Sequence, residues 1–170
     1  MINAAEPTQK PHEHHHAVQF YGTDASLFAT VAKFLGEGLV GEQPAIVIAT
    51  PEHRVAIEKY LCDRLIDCEE ARRRGELLML DAEDTLSLFM VGDEPNHELF
   101  ETNMGRLIEQ TLAGRTQTTI RAYGEMVDVL WKQGRCKSAI DLEILWNKLA
   151  LKYRFSLLCG YSMGSFYKQT

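Results

Sequence analysis

Hydrophobic positions along the chain follow two alternating rhythms. Residues 45–49 (Ala-Ile-Val-Ile-Ala) and 77–80 (Leu-Leu-Met-Leu) are apolar without a break, as in strands buried on both faces. Residues 16–21, 118–123 and 155–161 read as three further strands. Between them apolar residues recur at helical spacing. Leu27, Val31, Phe34 and Leu35 mark a helix capped by Asp24 and closed by Gly36, Gly38 and Gly41. A second helix covers residues 51–68, with Pro51 at its first position and Thr50 as its cap. Residues 69–74 continue as a charged, solvated helical face with Glu-to-Arg pairs four apart. A helix starts near Glu83 and runs through Leu86, Leu88 and Phe89, and residues 92–95 form a turn. Residues 96–113, 125–133 and 138–152 supply three more helices, the first two stopped by Gly114 and Gly134. The tail leaves room for a short edge strand through Phe166 and Tyr167. This alternation predicts an α/β three-layer sandwich with a mostly parallel sheet of five or six strands.

With 170 residues, 45% of them hydrophobic and 25% charged, the chain is long enough for one domain with a core of its own. Residues 1–13 (polar, with Pro7 and Pro11) read as a disordered lead, and residues 14–170 as the folded unit. A net charge of −6 gives no overall field for a phosphate backbone, which argues against direct nucleic-acid binding. No stretch approaches the ~18 apolar residues of a membrane span, and no apolar segment marks a signal peptide. Cys62, Cys68, Cys136 and Cys159 form no CxxC pair, and they read as reduced thiols of a cytoplasmic protein. A homo-oligomer is compatible with all of this.

Candidate chemistry gathers where strands end, because ligands of open parallel sheets bind beyond the carboxyl ends of the strands. Tyr21, His53, Tyr123, Glu125 and Tyr161 fall there. Asp24, Thr50 and Asp81 are equally explained as helix caps. Glu143, Trp146 and Asn147 are spaced i, i+3, i+4 and share a face beside the stripe of Leu142, Leu145 and Leu149. A carboxylate and an amide beside an indole suggest a partly buried polar network, with Trp131 as a further aromatic wall. His12, His14, His15 and His16 cluster near the terminus, where such runs bind transition metals weakly. No other His/Asp/Glu set has metal-site spacing, so no functional metal and no cofactor is expected. His53 is the better ligand candidate. No GxSxG, HExxH or CxxC motif marks a catalytic centre.

The order of motifs carries a resemblance. His16-Ala-Val-Gln-Phe-Tyr21, Gly38-Leu-Val-Gly-Glu42, Ile48-Ala-Thr-Pro-Glu-His53, Leu80-Asp-Ala82, Arg121-Ala-Tyr-Gly-Glu-Met126 with Leu130-Trp131, Leu142-Glu143 with Leu145-Trp-Asn147, and Cys159-Gly-Tyr161 follow one another. Together they resemble the MEDS domain, the methanogen/methylotroph DcmR-type sensory domain, from residue 16 to about 166. The resemblance implies a non-catalytic sensor of small molecules, hydrocarbon derivatives among them, that works with transcription regulators and histidine kinases. The first half also resembles the RecA/KaiC-like ATPase core, with Gly22, Thr23 and Asp24 at the phosphate loop and Asp81 at the Walker B acid. Against GxxxxGK[ST], however, the second glycine, the lysine and the hydroxyl residue fall on Leu27, Phe28 and Ala29. That loop has lost the charge and the hydroxyl that phosphate and Mg²⁺ require.

The expectation is therefore a small organic ligand held at the carboxyl ends of the strands by Tyr21, His53, Tyr123, Glu125, Trp131, Glu143, Trp146, Asn147 and Tyr161. The signal would pass to a histidine kinase or transcription regulator. Two alternatives stay open: a ligand-free protein-interaction module, and a residual nucleotide-binding protein using Asp81 and Glu125.

Overall fold

The computed structural model describes residues 15–165. The proposed lead, His12, His14 and the edge strand through Phe166 and Tyr167 lie outside the described residues. The chain begins with strand β1 (His16–Tyr21), helix α1 (Asp24–Val40), strand β2 (Ala45–Ala49), helices α2 (Pro51–Asp63) and α3 (Cys68–Arg73), and strand β3 (Leu77–Asp81). Helix α4 (Ala82–Ser87) and a hairpin of β4 (Met90–Val91) and β5 (Glu94–Pro95) precede α5 (His97–Leu112). Strand β6 (Ile120–Gly124), helices α6 (Met126–Lys132) and α7 (Cys136–Ala150), and strand β7 (Phe155–Ser162) complete the order, before a short 3-10 turn.

Five strands pair in the order β1-β7-β6-β2-β3, and every pairing is parallel. Two apolar layers cover the sheet. On one face α1 to α3 pack over Ala45, Val47, Ala49 and Tyr123. On the other, α4 to α7 pack over Ile46, Ile48, Ala122, Leu157 and Cys159. Alternate strand residues serve alternate layers, so β2 is buried along its whole length. This is the three-layer α/β sandwich that the alternation predicts.

Several boundaries differ from the expected ones. Helix α1 runs straight through Gly36 and Gly38 and stops only at Gly41. Gly38 serves packing: a Cβ there would lie 2.5 Å from Arg121 Cδ. The Arg121 guanidinium donates to Phe34 O at 2.7 Å and to Gln43 Oε1 at 2.8 Å. Thr23, not Asp24, caps α1, its hydroxyl accepting from Ser26 N at 3.3 Å. Thr50 makes no side-chain capping bond. The long second helix is broken: Leu65 turns the chain at φ 64°, and Asp67 caps a separate α3. The charged face of α3 pairs Glu70 with both Arg73 and Arg74. The turn at residues 92–95 is the tip and second strand of the small hairpin.

Gly160 matters for the site below. A Cβ on it would meet Tyr123 Oη at 2.5 Å, because the Tyr123 ring crosses from β6 over the backbone of β7. Tyr123 is fully buried and has nowhere to retreat. Gly160→Ala is therefore expected to destabilise the fold by about 1–3 kcal/mol, the usual cost of overpacking, which urea denaturation would measure.

Candidate functional site

The residues picked from the sequence separate into two polar clusters and a piece of core. The first cluster sits where β2 and β6 end. Glu125 follows the last residue of β6, and its N–H donates to Ile48 O at 2.9 Å, continuing the sheet ladder by one residue. Its carboxylate, on a residue only 3% exposed, is fully engaged. Oε1 accepts from Tyr123 Oη at 2.8 Å and from His53 Nδ1, and Oε2 accepts from Thr50 N at 3.0 Å. The carboxylate after the neighbouring strand thus satisfies the N–H of Thr50, the residue before α2, whose own hydroxyl makes no capping bond. His53 also lies 4.0 Å from Asp24 and edge-on to Phe28, with ring centroids 4.9 Å apart.

Burial pushes the Tyr123 hydroxyl well above its ordinary value, and Glu125 adds to the shift. Tyr21, nearby on β1, is raised by burial and by the charges of Asp128, Glu125 and Asp24. His53 is raised above 6.5, mainly by its hydrogen bond to Glu125. Beside it, Asp128 on α6 is 3% exposed, accepts from Ser162 N at 3.1 Å and pairs with Lys132 at 2.7 Å.

The second cluster lies on the opposite face of the sheet, between β1, β7 and α7. His16 Nδ1 is 2.7 Å from Asn147 Oδ1, and His16 Nε2 is 3.1 Å from Glu143 Oε2 and 3.4 Å from Cys159 Sγ. Tyr161 Oη donates to Glu143 Oε1. Burial works to raise the Glu143 pKa, but the bonds from His16 and Tyr161 outweigh it and leave the carboxyl below its usual range. The Cys159 thiol is pushed well up by burial and by Glu143, and burial raises the Tyr161 hydroxyl as well.

Glu143 and Tyr161 also form the polar end of a groove of about 280 Å³. Val18 and Phe20 of β1, Val127 and Trp131 of α6, and Ala139 and Ile140 of α7 wall it. It opens beside the carboxyl halves of β1 and β7, on the face of the sheet instead of across the strand tips. Trp146 belongs to neither cluster. It stands edge-on to Phe100 and Phe155 inside the α5–α7 core.

The phosphate-loop and Walker B positions do not come together. Gly22, Thr23 and Asp24 follow β1 and Asp81 ends β3, the two opposite edges of the sheet. Four strand spacings, about 19 Å, separate those edges. Asp81 caps α4 through the N–H groups of Glu83 and Asp84 and pairs with Arg54 at 3.3 Å.

The model of the MEDS family, MEthanogen/methylotroph, DcmR Sensory domain, matches residues 15–170. The chain belongs to the MEDS family. No curated protein matches it. Membership makes it a sensory domain, and among the described residues no helix is long and apolar enough to cross a membrane. Both polar clusters and the groove lie within the matched span of this MEDS domain.

The sequence placed His16 only in a weakly metal-binding histidine run and left Cys159, Asp128, Val18, Phe20 and Ile140 out of the site. A signal for some of them was available. His16, Val18 and Phe20 alternate along β1, and Cys159 and Tyr161 alternate along β7, so each set must share one face.

The first cluster has a pH signature. Glu125 and Asp24 raise the His53 pKa, while burial and Lys132 oppose them. Protonated His53 thus stabilises the fold fully below the unfolded value of about 6.5, and the contribution fades as pH rises through the higher folded value. In urea denaturation across this range, the stability gap between the native protein and His53→Gln is expected to narrow as pH rises. In Glu125→Gln the His53 pKa, followed by NMR, should fall back toward its ordinary value.

Proposed function

We propose that this MEDS domain senses a small, mostly apolar organic molecule bound in the groove between β1, β7, α6 and α7. The observation that carries the reading is the composition of that groove. Val18, Phe20, Val127, Trp131, Ala139 and Ile140 offer hydrocarbon and aromatic surface, and Glu143 and Tyr161 add a carboxylate and a hydroxyl. Apolar walls with a few placed polar groups suit a ligand with one hydrogen-bonding head. A volume of about 280 Å³ sits just under the roughly 300–1,000 Å³ of drug-sized pockets, so the ligand is small. Val18, Phe20 and Ile140 are half-exposed, and an occupant would cover them.

A second hollow, about 320 Å³ between α5 and α7, is rimmed by Lys148, Lys152, Glu101 and His97, and Glu101 there pairs with both Lys152 and His97. The Tyr123–Glu125–His53 cluster serves the fold in this reading, because Glu125 is almost wholly buried and does not line the groove. The domain works without catalysis and in the cytoplasm. Occupation of the groove changes how β1 and α7 present themselves to a histidine kinase or transcription regulator, which carries the signal onward.

The test is a ligand panel of short-chain alcohols, aldehydes and haloalkanes, read by NMR shift perturbation and calorimetry. Saturable binding is expected, with shifts at Val18, Trp131 and Ile140. Ile140→Trp, a change on the half-exposed side of α7, should fill the groove and weaken binding about tenfold or more, the equivalent of ~1.4 kcal/mol. No binder in the panel, or equal affinity in Ile140→Trp, would overturn the reading.

A further inference from the structure

The cluster beside the groove has the composition of a metal site. His16 Nε2, Glu143 Oε2 and Cys159 Sγ lie within 4.8 Å of one another. An amide oxygen can only accept, so the 2.7 Å contact to Asn147 Oδ1 places a proton on His16 Nδ1. Nε2 then lies 3.1 Å from a carboxylate oxygen, to which it donates when the ring is protonated, and 3.4 Å from a sulfur. Protons on Nε2 and on the thiol satisfy these contacts, and with both displaced three donor atoms face one another. A proton on Nε2 bridges one pair, whereas a cation engages all three.

The spacing, which hydrogen bonds also allow, fits a bound zinc. Zinc bonds of about 2.0–2.1 Å to nitrogen, 2.0 Å to oxygen and 2.3 Å to sulfur, at tetrahedral angles, put N and O about 3.3 Å apart and N and S about 3.5 Å apart. The observed 3.1 and 3.4 Å are within a few tenths of those values. The supporting bonds are also those of a metal centre. A ligating histidine donates its other N–H to an oxygen, and a ligating carboxylate is itself hydrogen-bonded. Asn147 does the first and Tyr161 the second.

We propose that His16 Nε2, Cys159 Sγ and Glu143 Oε2 bind a zinc-type divalent cation, with Asn147 and Tyr161 as positioning residues. One imidazole, one thiolate and one carboxylate suit zinc or cobalt better than Mg²⁺ or Ca²⁺, which favour all-oxygen sets. Binding displaces the thiol proton. Three protein ligands leave a fourth position for water or an exogenous donor. The site stands whether or not the groove takes an organic ligand, since none of its ligands needs one.

Cobalt(II) titration of the full chain tests it, because thiolate ligation gives a near-ultraviolet charge-transfer band that imidazoles alone do not. The protein carries His12→Ala, His14→Ala and His15→Ala to silence the terminal histidines, and Cys62→Ser to break the Cys62–Cys68 thiol pair, 3.9 Å apart. One bound cobalt with that band is expected, displaced by zinc and lost in Cys159→Ser. Asn147→Ala should keep the band at saturation and weaken affinity roughly 10- to 100-fold. Absence of the band, or its survival in Cys159→Ser, overturns the proposal. Should Cys159→Ser not fold, Glu143→Gln replaces it, and undiminished cobalt affinity there is equally fatal. Ligand binding scored by Ile140→Trp is a separate readout, so either idea can fail alone.

Discussion

A carboxylate almost wholly out of water must be surrounded by donors, or it destabilises whatever buries it. Glu125 imposes that requirement on the middle of this fold. Its two oxygens draw in a tyrosine from β6, a histidine from α2 and the backbone N–H that opens α2. Its own N–H extends the ladder onto β2. The consequences spread outward from there. Tyr123 can reach Glu125 only by lying across β7, and β7 can accept the ring only because residue 160 has no side chain. His53 is held beside Phe28 of α1, so the same carboxylate also sets the contact between α1 and α2.

The same trio of residue types, tyrosine, glutamate and histidine, recurs on the other face with a different outcome. Around Glu143 the tyrosine comes from β7 and the histidine from β1, but among the described residues no backbone N–H completes the set. A buried thiol stands where the first cluster has Thr50 N. A backbone N–H has its proton fixed and can only donate, so Glu125 is a closed arrangement. A thiol can surrender its proton, and Glu143 also borders a solvent-open hollow. The asymmetry separates the faces: one carboxylate is closed within the sheet, and the other borders the groove.

The layers and the strand sequence were legible because burial on both faces writes an unbroken apolar run, and β2 carries nothing else; β3, apolar up to Asp81, is instead a half-buried edge strand. The helix breaks were less so. Gly36 and Gly38 look like stops, but Gly38 lets Arg121, more than eighty residues away, lie against α1, and Gly36 faces Leu61, Arg64 and Ile66 at the end of α2. The site was half legible for a related reason. Glu143 and Asn147 could be placed on one face of a helix by counting, and that face is real. Their partner, His16, sits in what reads as the end of a histidine-rich terminal run. Only the pairing of the first strand with the last brings it to Cys159 and Glu143, and that pairing joins residues more than 140 apart. Trp146 shares the counted face, but an indole at that depth finds Phe100 and Phe155 before it reaches the polar edge.

Strand order also bears on the resemblance to ATPase cores. A phosphate loop and a metal-holding acid must face the same few ångströms of space, because one cradles the phosphates whose cation the other helps hold. Here the corresponding segments flank the two outermost strands, and β7, β6 and β2 fill the interval. Restoring a lysine at Phe28 would therefore not rebuild a nucleotide site around Asp81. It would place an ammonium where an apolar ring now packs edge-on against His53 and beside Tyr60. Phe28 belongs to the packing that keeps His53 against Glu125, so the position that breaks the phosphate motif is also one on which the central carboxylate depends.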